Sequence, residues 1–189
     1  MIHVLCAFLI LTVLAATGHA HSPKSSHVQL GIGSALPLGQ ISDHWSHGVS
    51  ANFGIAFTTS PATEIVPKLE YSHLPLETTG NPNMTGSSLY TLNIGVDINI
   101  IPHKQAARVS PMLTGGIGMG RVAVAIYPYY EYAGLQRTAE SNIYFSFGGG
   151  LAIYSQRTVR ALFTVRSVII QGARSSVSLL PISLSWRFL

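Results

Sequence analysis

From Tyr90 to Ile100 every second residue is large and apolar. Tyr90, Leu92, Ile94, Val96, Ile98 and Ile100 alternate with Thr91, Asn93, Gly95, Asp97 and Asn99. A period of two puts the first set on one face of a β-strand and the second on the other. The alternation recurs in eight segments: 27–36, 48–58, 63–72, 88–101, 108–124, 142–154, 159–170 and 177–188. Segment 48–58 sets Val49, Ala51, Phe53, Ile55 and Phe57 against Ser50, Asn52, Gly54, Ala56 and Thr58. Segment 142–154 sets Ile143, Phe145, Phe147, Leu151 and Ile153 against Tyr144, Ser146, Gly148, Gly150 and Ala152. Segment 177–188 sets Leu180, Ile182, Leu184, Trp186 and Phe188 against Ser183, Ser185 and Arg187. No helical period competes with this one, and the repeating unit is the hairpin.

Alternation alone also fits a soluble sheet with one wet face. The composition of the polar face decides between the two: it is rich in Gly, Ser, Thr and Asn and poor in Lys and Glu. A face that keeps a protein in solution is usually charged, whereas a narrow lumen favours small groups and a few ions that pair. The expectation is therefore polar inside and lipid outside. Tyr90, Leu92, Ile94, Val96, Ile98, Phe145, Phe147 and Leu184 would face lipid, while Lys68, Glu70, Asp97, Arg160, Arg166 and Arg187 would form a lumen charge network. Strands of about 10 residues, tilted near 45°, climb roughly the 25 Å of an outer-membrane apolar band. With both termini at one end, the long connections after His73 and after Ala125 fall at the other, and "TSPA" and "SQRT" make short turns. Phe57, Tyr154, Trp186 and Phe188 then lie at the turn end, with Tyr71, Tyr90 and Phe145 near the loop end, as two interfacial girdles. Pro67, Pro111 and Pro181 fall inside these strands and require bulges or strand ends.

The wider composition fits this picture. Charged residues are 10% of the 189, the hydrophobic fraction is 47%, and the formal charge of +4 comes without a Lys/Arg cluster. No nucleic-acid footprint is expected. The apolar run 4–16 followed by "GHA" at 18–20 reads as a signal peptide over 1–20. The barrel domain would then be 21–189, and Cys6, the single cysteine, would leave with the signal. No later run approaches the length of a membrane helix.

Few residues suggest chemistry. "DHWSH", with Asp43, His44 and His47, lacks the further ligands a zinc site needs. Ser72, His73 and Glu77 are the one local combination for a rim hydrolase, but adjacent residues on a strand point to opposite faces. The "GGIGMG" and "FGGGLA" clusters have no helix after them to cradle phosphate. No catalytic residue, cofactor or metal is expected.

The stretches "VQLGIGSALPLG", "SPMLTGGIGMGRV", "YFSFGGGLAIY" and "LSWRFL" resemble the eight-stranded outer-membrane β-barrel superfamily that includes the transmembrane domain of outer-membrane protein A. The resemblance implies an all-β, eight-stranded antiparallel up-and-down transmembrane barrel in the cell outer membrane. It implies contact with outer-membrane lipid and lipopolysaccharide, handling by the barrel-assembly machinery, and a monomer. The expected role is structural or surface-interacting, with Trp45, Tyr127, Tyr129, Tyr130 and Tyr132 presented by loops. A small gated pore, a lipid-modifying enzyme and a soluble lipocalin-like binder are the alternatives. The last would turn the aliphatic faces inward.

Overall fold

The computed structural model describes residues 26–76, 88–102, 108–126, 136–155, 158–172 and 176–188. The expected signal segment and Tyr127, Tyr129, Tyr130 and Tyr132 lie outside them. Eight strands follow one another: β1 Ser26–Leu38, β2 Gly48–Ser60, β3 Thr63–Pro75, β4 Ser88–Ile100, β5 Val109–Ile126, β6 Gln136–Ser155, β7 Thr158–Ile170 and β8 Val177–Phe188. Each pairs antiparallel with its chain neighbours, and β1 pairs with β8, closing an up-and-down barrel. β-Branched and aromatic residues on the outward positions favour this pleated geometry, and closure leaves no free edge.

The register fixes the barrel's shape. The register followed once around from Val28 runs to Ile55, across a gap in the ladder to Pro67, and on through Val96, Ile117, Phe145, Ile169 and Ser178. It returns to β1 at Leu38, ten residues further along. A stagger of that size on eight strands tilts them by about 40° and gives a backbone radius of about 8 Å. Such a cylinder has room for side chains and little else. The same tilt gives a strand the length of β4 a height of about 32 Å, enough to cross an apolar band.

Pro67 and Pro181 sit at gaps in the ladder rather than at the expected bulges or strand ends. The β2–β3 ladder stops at Gly54–Lys68 and resumes in the same register at Phe57–Ile65. The β7–β8 ladder skips from Val165–Ile182 to Val168–Leu179. Each proline keeps its partner on the other side, Val96 and Ala35 respectively. Pro111 sits near the start of β5, where it pairs with Leu151 and the β4 ladder has not begun.

The sequence reading placed the start of the sixth strand at Asn142, and the structure moves it to Gln136. Here β5 and β6 stay paired up to Ile126–Gln136, whereas β7 joins β6 only from Tyr144. β6 thus projects beyond β7, while β5 remains paired with β4 up to Ala125–Ser88. Residues 136–141 show no apolar alternation, so cross-strand hydrogen bonds rather than a buried face extend the strand.

Candidate functional site

The strand faces divide as the alternation requires. Outward side chains are apolar and exposed: Leu92 by 39%, Ile94 by 54%, Ile98 by 49% and Phe147 by 60%. Phe145, Tyr71, Trp186 and Phe188 are exposed as well, while Tyr90, Val96, Leu184 and Phe57 are half-buried on the same outer surface. Glu70, Asp97, Arg166 and Arg187 are buried inside. This is the reverse of a lipocalin-like arrangement, whose aliphatic faces would line the interior.

Two ionic groups fill the lumen. In the central group, β3 contributes Lys68 and Glu70, β4 Asp97 and β7 Arg166, all on inward positions. Lys68 Nζ lies 2.8 Å from Glu70 Oε2 and 3.2 Å from Asp97 Oδ2. The Arg166 guanidinium donates to Asp97 Oδ2 at 2.8 Å and also to Glu70. Two cations thus meet two carboxylates and the charges balance, which is what burial of ions demands. Ser146 donates to Asp97 Oδ1 at 3.4 Å. A Cβ on Gly116 would overlap the Asp97 carboxylate, and one on Gly95 would overlap the Tyr144 hydroxyl. Gly at these positions is therefore a packing requirement of a narrow barrel.

The second group lies toward the turn end. Arg187 on β8 reaches both oxygens of Glu64 on β3, at 2.7 and 2.6 Å, in the two-pronged geometry suited to guanidinium and carboxylate. It also donates to Gln29 Oε1 at 3.4 Å. Glu64 was absent from the expected network, although it shares the even-numbered face of β3 with Lys68 and Glu70; its strand-end position hid it. The space left among Asn52, Lys68, Asp97, Thr164, Arg166 and their neighbours is about 10 Å³, about one water's worth.

Three expectations need correction. Arg160 is exposed and belongs to neither ionic group, because it lies at a register shift where Ile153 pairs with Ala161 and Tyr154 with Val159. Tyr154 is not an outward interface aromatic. It follows the even-numbered inward face of β6 and packs on a cluster of Ile101, Met112, Ala152 and Leu162 at the turn end. Trp45 is likewise not a freely presented loop ring: it packs on a second cluster of Ala35, Leu74, Leu89, Tyr144, Val168, Ile170 and Leu179 at the loop end. An apolar cluster therefore packs into the lumen at each end, the one at the turn end together with the Arg187–Glu64 pair.

At the loop end the outer surface carries an aromatic patch. Tyr90 stacks on His73 with ring centres 4.9 Å apart and tilts against Tyr71 at 6.3 Å. Ser72 points the other way and is fully buried, so Ser72 and His73 do not converge; Glu77 lies outside the described residues. His44 and His47 are exposed, and no group of three or more His, Cys, Asp or Glu side chains converges among the described residues.

Against known proteins, no family model and no curated protein matches the chain. Solved structures do. Neisserial surface protein A is 13% identical with a TM-score of 0.57, covering 86% of this chain and 97% of its own. Ail, the attachment invasion locus protein of Yersinia pestis, is 10% identical with a TM-score of 0.56 over the same shares. A major outer membrane protein from Thermus thermophilus is 10% identical with a TM-score of 0.50, covering 87% of this chain and 100% of its own. These neighbours are eight-stranded outer-membrane β-barrels, and the likeness is one of fold.

Proposed function

We propose that this protein is a bacterial outer-membrane barrel that acts without catalysis, as an anchored structural or surface-contact protein. The observation that carries the reading is the inverted polarity: exposed aliphatic side chains outside, balanced ion pairs sealed inside. Membrane lipid would cover the outward band, because strands cross a membrane only when every backbone group is paired and no edge is left. The Tyr71–Tyr90–His73 patch suits the outer interface with lipopolysaccharide, where amphipathic rings settle. The monomer is the working state. The long connections at that end, including the tyrosine-rich one, would provide the contact surface. Conduction is disfavoured by the two plugs and by the near-zero free space between the ionic groups.

The test is cell fractionation combined with electrophoresis of boiled and unboiled samples, followed by planar-bilayer recording. The proposal expects the protein in the outer-membrane fraction, a shift in migration on boiling, and no single-channel steps. Recovery as a soluble protein without a shift would overturn the location. Reproducible unitary steps would overturn the sealed lumen and favour a pore.

A further inference from the structure

The loop-end plug does not fill the barrel's mouth. Above it lies a cavity of about 270 Å³. It is lined by Leu89, Ile170 and Val177, by Val122 and Val124 of β5, and by Trp45 with Ile41. The lining is apolar except on one side, where Glu140, Asn142 and Gln171 meet. That side is fixed in place, since the Gln171 amide donates to the Ile143 carbonyl at 3.0 Å and ties the β7–β8 connection to β6. Trp45 is fixed too, through its bridge to Leu76 and the hydrogen bond its backbone N–H donates to the Ile41 carbonyl at 3.0 Å.

We infer that this cavity is a binding site for a small cationic amphiphile, an apolar body of one or two rings carrying an ammonium group. Size sets the body: a dry apolar cavity of about 150 Å³ holds benzene, and this one is nearly twice as large. Charge sets the head group. Among the described residues, Glu140 is the only charged one in the lining, it is exposed, and it has no ion pair. A carboxylate beside two amides offers acceptors to an ammonium and repels an anion. The indole face of Trp45 adds a surface that attracts cations. An apolar pocket with a few convergent polar groups is the usual form of a small-molecule site.

The chain has two tryptophans, so Trp186→Phe leaves Trp45 as the only tryptophan, excited selectively at the red edge of the indole band, in the lining of the cavity. The full-length protein carrying that change is folded in phospholipid vesicles. It is then titrated with 2-phenylethylammonium, 2-phenylethanol and 3-phenylpropanoate, which share a ring body and differ in head group. Expected is a saturable change in Trp45 emission, with the cation saturating at a concentration at least tenfold below the alcohol and the carboxylate not saturating. Glu140→Gln should raise the cation's midpoint to that of the alcohol, and Val124→Phe, which fills the cavity, should abolish saturation. Glu140 is exposed, so Glu140→Gln decides the matter even where Val124→Phe fails to fold. A response that stays linear in all three probes is partition into the bilayer and overturns the site. Saturation without a head-group preference, or a preference that survives Glu140→Gln, overturns the assignment of the ligand.

Discussion

Replacing Ile94 with Lys puts the account under direct load. Ile94 points outward, is 54% exposed, and sits six residues from each end of β4. At a rise of about 3.3 Å and a tilt of about 40°, that is about 15 Å from either end, the middle of the apolar band. A lysine on the lipid face of a barrel costs about 2–4 kcal/mol at the midplane and about 0–1 kcal/mol near the interface. Ile100, the last residue of the same strand, is 47% exposed and nearly matches Ile94 in everything but depth. Ile94→Lys should therefore destabilise the protein by about 2–4 kcal/mol and Ile100→Lys by at most about 1 kcal/mol. The assay is urea unfolding in phospholipid vesicles, followed by the emission of Trp45 and Trp186. In water both changes would be surface substitutions within about 0.5 kcal/mol of the parent. Equal and negligible costs at the two positions would refute the lipid-facing assignment.

Arg166→Met leaves Glu70 and Asp97 to share Lys68 and should cost about 3–5 kcal/mol, the penalty for an uncompensated buried charge. Adding Asp97→Asn restores the balance of one cation with one carboxylate, so the double variant should be more stable than Arg166→Met alone by the same urea titration. Gly116→Val drives a side chain into Asp97 and should cost about 1–3 kcal/mol or prevent assembly. Gly115→Val is the control: its added Cβ would meet nothing closer than the Ser146 carbonyl at 3.6 Å, and it should fold and show the heat-dependent shift in electrophoresis.

How much of this was legible in the sequence follows from period and distance. The eight strands and their faces were readable because a two-residue period is local; β4 alone gives six outward residues in unbroken order. Lys68, Glu70, Asp97, Arg166 and Arg187 were identifiable as inward by parity. Which of them pair was not, since Glu70 and Arg166 are 96 residues apart and meet only through the stagger of the closed barrel. The apolar plugs were hidden for a different reason. Leu74, Leu89, Leu162, Val168, Ile170 and Leu179 are inward residues near strand ends, where apolar groups on both faces erase the alternation. Tyr154 was misplaced because a ring at a strand end reads as an interface anchor whichever face it occupies. The mouth cavity depends on the β5–β6 extension, for which residues 136–141 carry no apolar signal.

The most direct test of the central claim, lipid outside and a sealed lumen inside, is spin-label accessibility at two adjacent residues. Nitroxide labels attached through Asn93→Cys and Ile94→Cys would be compared in the protein folded into phospholipid bilayers. The measured quantities are collision rates with molecular oxygen, which concentrates in lipid, and with a water-soluble nickel chelate. The account predicts high oxygen and low nickel collision at 94, and low collision with both at 93, where the side chain is 2% exposed. High nickel collision at 94 would put water on the aliphatic face and contradict the account.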